Sequence, residues 1–493
     1  MTGRGPPPGR KPAGGRKPPR GRGAPTGGGQ PPEAKQPVAL TARSLARAVL
    51  ERVETGGAYA NRALAAALDR AQALGAEDRG LATELVYGVL RRRGRIDRAL
   101  QAFATSGLDR LDARVLIALR LGAYQILFLD RVPAYAAVDD AVGACKLIAG
   151  RGVAGFANAL LRRLAREGEP ALPDAAADPA GHLVAAAGVP PWLAQLMLAE
   201  LPAADALAFA GSIADAAPVT LRANSGRVTR DELAARLGAE RPGATLTPSE
   251  VAPDALDARR LDAPATTQAW RDGLFAIADA GAQVAVELCG AAAGERILDA
   301  CAGNGGKTAH LLALSGDRAR VDALDVAADK LDAARATLQR LGLTGATLRQ
   351  ADLTAPLDGP TLATPRYHRI LLDAPCSGLG VLRRHPEALT RRAPGDLDVL
   401  AAQQLRMLSV VAPTLLPGGL LVYAVCTFER RECEDVVAAF LRAHPRFSLE
   451  SAAAAGGRVP WGRLTDAAGA VRTWPQRDGA DGFFAVRLRL ASS

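Results

Sequence analysis

The sequence predicts a multidomain chain: an α-helical N-terminal domain, a small α+β module and a C-terminal α/β domain, behind a basic tail. Three observations predict it. Apolar residues recur at helical spacing through residues 38–168 with no strand-like alternation. Helical and strand signals then mix through 192–275. From 276 onward short apolar strands alternate with helices every 21 to 28 residues, the rhythm of a mostly parallel sheet covered on both faces. A length of 493 residues, 48% apolar and 23% charged, supplies several cores and excludes a single small module.

Residues 1–37 form the tail. Twenty of these 37 are Gly or Pro, and eight Lys/Arg against one Glu give the segment +7 of the chain's net +10. That composition buries too little apolar surface to offset chain ordering, so the tail is expected to be disordered, and a flexible polycation favours nucleic acid. In the helical domain, 38–168, Thr41 is placed to cap a helix whose Leu45, Val49 and Val53 share one face. Leu116, Leu119, Ala123, Ile126 and Leu127 recur at the same spacing farther on. Arg91, Arg92, Arg93 and Arg95, like the pair Arg162 and Arg163, read as solvated basic faces. The proline-rich stretch 169–191 reads as a linker. In the α+β module, 192–275, residues 218–224 read as a strand, and Thr229-Arg230-Asp231-Glu232 as a capping box opening a helix through Leu237. The α/β domain is 276–493.

Six cysteines with no C-x-x-C spacing exclude a disulfide scaffold and argue against structural zinc, so no metal and a reducing, cytoplasmic compartment are expected. The uncharged stretch 407–428 has the length of a membrane span, but Pro413 and Pro417-Gly418-Gly419 break it, and no apolar h-region opens the chain. A soluble monomer with no membrane partner is the expectation. Arg outnumbers Lys 55 to 6, so Arg is filler, whereas Lys307, one of three lysines after residue 40, carries information.

The α/β domain carries the chemistry. Its first strand, Arg296-Ile297-Leu298-Asp299, runs into Ala300-Cys301-Ala302-Gly303-Asn304-Gly305-Gly306-Lys307-Thr308, a small-residue turn opening a helix. Backbone there can approach a ligand closely, and the helix start offers free N–H groups. The loop is neither a Walker A, which needs Gly at 301, nor G-x-G-x-x-G. The next strand ends at Asp325, 26 residues after Asp299, where a carboxylate can accept both ribose hydroxyls. A third ends at Ala351-Asp352, offering an acceptor to an adenine amino group. Three acids at successive strand tips behind a Gly-rich loop favour an adenosine-containing cofactor. The fourth strand, Ile370-Leu371-Leu372-Asp373, continues into Ala374-Pro375-Cys376-Ser377-Gly378. The fifth follows Pro417-Gly418-Gly419 over 420–424 and delivers Val425-Cys426-Thr427. Two cysteines therefore leave adjacent strand tips on the cofactor edge, whereas Cys145, Cys289, Cys301 and Cys433 read as inert thiols.

Asp373-Ala374-Pro375-Cys376-Ser377-Gly378 and Tyr423-Ala424-Val425-Cys426-Thr427, with the Gly-rich loop, resemble the RNA cytosine-5 methyltransferases, in particular the bacterial branch acting on small-subunit (16S) ribosomal RNA. The likeness covers residues 38–490. Residues 78–90 and Arg131-Val132-Pro133 are similar to the RNA-binding NusB fold. The resemblance implies an RNA-recognition-like module over 218–261 and a Rossmann-like catalytic domain; Arg383-Arg384-His385-Pro386 and Asp481-Gly482-Phe483-Phe484 also match. It further implies S-adenosyl-L-methionine as cofactor, held by Cys301, Ala302, Gly303, Asn304, Gly305, Gly306, Lys307, Asp325, Asp352 and Asp373. The substrate would be ribosomal RNA or an assembly intermediate. Cys426 would be the nucleophile toward C6 of cytosine and Cys376 the group that releases product, with Asp373 and Lys307 at the base edge.

Two positions depart from that pattern. Gly303-Asn304 stands where the family has Ala-Pro, and Cys433 where it has Asn, which bears on cofactor affinity rather than on reaction type. Three alternatives stay open on sequence alone. DNA cytosine methylation leaves Cys426 unexplained; another RNA such as tRNA could be the substrate; and the chain could be an RNA-binding assembly or antitermination factor with a vestigial methyltransferase fold.

Overall fold

The structure is a computed structural model that describes residues 40–104, 107–261, 263–355 and 366–492. The tail, 1–37, lies outside the described residues.

Six helices build the N-terminal domain: α1 (Ala42–Glu54), α2 (Ala60–Arg70), α3 (Ala76–Arg91), α4 (Arg93–Gln101), α5 (Ala113–Phe128) and α6 (Ala134–Glu167). Thr41 caps α1 as its sequence suggests: its hydroxyl accepts from the Ser44 N–H (3.1 Å), and Ser44 Oγ accepts from the Thr41 N–H (2.9 Å). The apolar stripes of α1 and α5 meet, burying Leu45, Val49, Val53, Leu119 and Ala123. Arg120 is buried with them, paired to Glu54 (2.6 Å) and Asp97 (2.7 Å). Gly150, at φ +84°, breaks α6 into two helices across a kink, a backbone state that L side chains rarely adopt.

The basic run at 91–95 is not a solvated face. Arg91 Nε donates to the Arg383 carbonyl (3.0 Å), Arg92 to the Ala214 carbonyl (2.9 Å), and Arg95 Nε to Glu169 (2.8 Å). These guanidinium groups hold the helical domain to later parts of the chain, because Arg offers several donors in a fixed fork to carbonyl and carboxylate oxygens.

The stretch 169–191 carries a short helix (Pro179–His182) and a π-turn (Leu183–Ala187). Leu183, Ala187 and Val189 join the helices Pro191–Glu200 and Ala203–Ala214 in one core with Leu379, Leu382, Leu397, Phe428 and Trp474 of the α/β domain. The module that follows has the order strand, helix, two strands, helix, strand: β1 (Val219–Ala223), a helix over Arg230–Glu240 with the Thr229/Glu232 capping box formed, β2 (Thr245–Pro248), β3 (Ala255–Arg259), a helix over Gln268–Arg271, and β4 (Phe275–Ile277). Its sheet is antiparallel in the order β2-β3-β1-β4. That is the RNA-recognition layout, yet neither β1 nor β3 carries an aromatic residue, so the usual base-stacking platform is not built on its central strands.

The sheet of the α/β domain contains β5 (Arg296–Asp299), β6 (Arg320–Asp325), β7 (Ala346–Gln350), β8 (Tyr367–Asp373), β9 (Leu415–Val425), β10 (Phe447–Glu450), β11 (Val471–Thr473) and β12 (Phe483–Leu490). Its order is β10-β12-β9-β8-β5-β6-β7, with β11 on β12; β5 to β9 run parallel and β12 antiparallel to β9. Strand order reverses between β5 and β8, which opens a crevice at their C-terminal tips. Leu415 already pairs with Tyr367, ahead of Pro417-Gly418-Gly419, so the fifth strand begins earlier than its sequence suggests and carries those residues as a bulge. Among the described residues no helix is long and apolar enough to cross a membrane.

Candidate active site

At the tip of β5 the chain turns through the Gly-rich loop into the helix Gly306–Leu314. Gly303 (φ +53°) and Gly305 (φ +80°) take left-handed backbone, and a Cβ on Gly305 would stand 2.8 Å from that of Ala334, so the loop packs too closely for a side chain there. Its path is tied to β6: the Ala302 N–H donates to the Leu324 carbonyl (2.8 Å) and the Gly303 N–H to Asp325 Oδ2 (3.0 Å). Asp325 Oδ1 accepts from the Ala327 N–H (2.9 Å). Asp299 is fully buried and accepts from the Thr308 hydroxyl (2.6 Å). Burial pushes its carboxyl up to about 6 against that hydrogen bond. Asp299 thus braces the loop from beneath, whereas Asp325 faces the crevice.

A cavity of about 340 Å³ opens between these tips, bounded by Cys301, Gly303, Asp325, Asp352, Asp373, Cys376 and Cys426 among others. Asp352 lies just beyond β7; its Oδ1 also accepts from the N–H (2.8 Å) and hydroxyl (2.7 Å) of Thr354, which turns the chain there. Lys307 Nζ is 2.6 Å from Asp373 Oδ2. Burial would lower the ammonium, but Asp373 outweighs it and holds Lys307 charged, above its ordinary value.

Across the crevice the two thiols meet. Cys376 Sγ and Cys426 Sγ, from the loops after β8 and β9, are 3.2 Å apart. The hydrogen bond to Cys426, then burial, keeps the Cys376 thiol well above its ordinary value. Burial likewise pushes Cys301 and Cys433 up, consistent with inert thiols.

Sequence reasoning missed what holds the thiols together. Glu432 Oε2 accepts from the Ser377 N–H (2.8 Å) and from Gln404 Nε2 (2.8 Å), and Gln404 also donates to the Pro375 carbonyl (2.9 Å). Arg392 donates to the carbonyls of Ser377 (2.9 Å) and Cys376 (3.3 Å). Arg384 bonds Asp481 (2.6 Å) and Asp279 (2.8 Å), while Arg383 bonds Asp481 (2.5 Å) and the Gly479 carbonyl (2.7 Å). Those bonds join the Arg383-Arg384 and Asp481-Gly482 motifs. Gly380 then sits so close to Gly482 that an added Cβ would come within 2.0 Å of the Gly482 carbonyl oxygen, while its N–H donates to the Cys426 carbonyl (3.0 Å). No spacing rule pairs residues about a hundred positions apart; only the quoted motifs marked them.

Cavity and side-chain set can accommodate an adenosyl cofactor: a loop of mostly small residues, charged acceptors at Asp325 and Asp352, and the thiols of Cys376 and Cys426. Among the described residues there is no metal-binding cluster of His, Cys, Asp or Glu.

Comparison with known proteins agrees with this architecture. Residues 288–489 match the family described as 16S rRNA methyltransferase RsmB/F, and residues 40–166 match the NusB family. The chain is 33% identical over 460 residues to the probable ribosomal RNA small subunit methyltransferase B of Bacillus subtilis strain 168, covering 91% of this chain and 98% of that one. To the ribosomal RNA small subunit methyltransferase B of Pseudomonas putida it is 34% identical over 462 residues, covering 92% and 100%. The crystal structure of PH0851 superposes with a TM-score of 0.74 at 22% identity, over 92% of this chain and 100% of that one. NSun6 from Pyrococcus horikoshii with SFG superposes at 0.52 and 19% identity, over 61% and 97%.

Proposed function

The chain belongs to the 16S rRNA methyltransferase RsmB/F family, and from that premise we propose that it methylates C5 of a cytosine in small-subunit ribosomal RNA, using S-adenosyl-L-methionine and a covalent cysteine adduct. The observation that carries this reading is the 3.2 Å approach of Cys376 and Cys426 beside the Lys307–Asp373 pair. One nucleophile would need one thiol; two in contact fit a reaction that adds and then releases.

The Gly-rich loop, Asp325 and Asp352 would hold the cofactor, which supplies an electrophilic methyl group. C5 of cytosine is a poor nucleophile. Cys426 sulfur bonds to C6, the electron pair of the 5,6 double bond moves to C5, and C5 becomes nucleophilic enough to take the methyl. Asp373 with Lys307 stabilises the proton and charge developing at the N3 and O2 edge. Water in the cavity then takes the C5 proton, the C5–H electron pair re-forms the 5,6 double bond, and the C6–S pair leaves on sulfur, regenerating Cys426; Cys376, beside it, serves this second half. The base must be unpaired or extruded for both faces to be reached.

Incubation with radiolabelled S-adenosylmethionine and 16S rRNA, followed by bisulfite mapping of rRNA from a deletion strain, tests the proposal. One cytosine should gain a 5-methyl group in vitro and lose it in the strain. Label in tRNA alone, or at a ring nitrogen, would overturn it.

A further inference from the structure

Neither central strand of the α+β module carries an aromatic residue, so a ring on which RNA bases could stack has to come from another part of the chain. Among the described residues, two aromatic side chains are more than half exposed, Tyr59 and Tyr135. Of these two, only Tyr59 has cations over its ring: the guanidinium carbon of Arg62 lies 6.0 Å from the ring centre and that of Arg391 5.8 Å. His385 meets the same ring edge-on, with 6.3 Å between centroids. At these distances the neighbours flank the ring without covering it, and Tyr59 stays 53% exposed. A bare π face beside two permanent positive charges suits single-stranded RNA, the ring stacking a base and a cation neutralising phosphate.

The ring is fixed from both sides of a domain boundary. Arg391 donates to the carbonyls of Val53 and Ala58, and the Ala60 N–H donates to Glu387 Oε1 (3.4 Å), so the residues on either side of Tyr59 are both held by the α/β domain. Glu387, only 3% exposed, also stands 3.5 Å from His385 Nδ1. One residue past Arg391, Arg392 donates to the carbonyls of Ser377 and Cys376. A single short segment, 385–392, thus joins Tyr59 to the thiol loop. It also gives His385, of the Arg383-Arg384-His385-Pro386 motif, a place beside the exposed ring.

We propose that an unpaired nucleotide on the same strand as the target base stacks on Tyr59, with Arg62 on an adjoining phosphate. The proposal rests on the RNA-methylation reading above. Arg62 is exposed, whereas Arg391 is committed to two carbonyls and serves to place the ring. Stacking is indifferent to base identity, because every base has a π face, so this contact holds the strand without choosing the cytosine.

The test is steady-state methyl transfer by the full-length chain to unmodified 16S rRNA transcribed in vitro, comparing wild type with Tyr59→Leu, Tyr59→Phe and Arg62→Met. Tyr59→Leu should raise KM for RNA by about 10-fold, within the range for one lost base–aromatic stack, with kcat and S-adenosylhomocysteine affinity unchanged. Tyr59→Phe, which keeps the ring, should behave as wild type. Arg62→Met should flatten the dependence of log RNA affinity on log salt by about 0.7, the share of one phosphate contact on a single strand. An unaltered KM in Tyr59→Leu overturns the proposal, as does an equal rise in Tyr59→Phe, which would assign the contact to the hydroxyl. A fall in kcat or in S-adenosylhomocysteine affinity in Tyr59→Leu overturns it too, reducing the side chain to a brace at the domain boundary. An unchanged salt slope in Arg62→Met overturns the phosphate contact. Absence of transfer by wild type overturns the RNA reading itself, which keeps that failure distinct from a failure at Tyr59.

Discussion

The two halves of the crevice are built differently. The cofactor half, at the tips of β5, β6 and β7, comes from about fifty consecutive residues; its key contacts, Gly303 to Asp325 and Thr308 to Asp299, link positions 22 and 9 apart. The thiol half draws its parts from across the chain: Cys376 and Cys426 are 50 positions apart, Ser377 and Glu432 are 55, Arg384 and Asp481 are 97. Residues 383–391 also carry the helical domain, through Arg91 on the Arg383 carbonyl and Arg391 on the carbonyls of Val53 (2.8 Å) and Ala58 (2.6 Å). A ligand platform can be local because backbone and a few acids suffice. Two sulfurs held in contact need their loops braced from several directions.

That contrast is open to attack, beginning with the largest effect. Cys426→Ala should abolish methyl transfer, while Cys376→Ala should leave enzyme joined to RNA, visible as a retarded band on a denaturing gel. A retarded band from the Cys426 variant would reverse the two roles. Next, Arg384→Met should cost about 3 kcal/mol in a urea melt, the lower end for breaking a buried ion pair, since Arg383 still partners Asp481. Activity should fall with cofactor affinity retained. A loss below about 1 kcal/mol would mean this bracing is dispensable.

In the local half, Asp325→Ala should weaken S-adenosylhomocysteine by about 1–3 kcal/mol with little change in RNA binding. Calorimetry would expose an unaltered affinity, which would remove Asp325 from the cofactor site. The smallest effect concerns Asp299. Its carboxyl, raised from 3.8 to about 6, binds its proton more tightly folded than unfolded, so stability present below pH 3.8 is lost as pH rises to about 6. Asp299→Asn should remove that slope, by no more than about 2 kcal/mol, when melts at pH 4.5 and 7 are compared with wild type. Parallel pH profiles would show that the Asp299 charge has no part in stability.

Local signals made the cofactor half legible. Small residues at 302–306 mark a loop that packs against Ala334, and acids ending apolar strands mark the edge. Thr41 and Thr229 cap the helices their neighbours suggested. The basic run at 91–95 misled because arginine's role depends on what later packs against it, and Ala214, Glu169 and Arg383 are contributed by distant elements. Glu432, Gln404 and Arg392 carried no local mark, since a carboxylate, an amide and a guanidinium are ordinary surface residues until burial leaves them facing loop carbonyls and amides.

By itself the sequence determined the periods of its elements, the turn chemistry of the loop and the presence of two cysteines in recognisable motifs, because these depend on neighbours a few residues away. Only tertiary structure decided that the two sulfurs touch, that Asp299 braces the loop while Asp325 lines the crevice, and that Tyr59 stands exposed beside guanidinium groups of two domains. Burial and pairing are set by the whole packing, where removal from water makes one ion pair count for more than any local propensity.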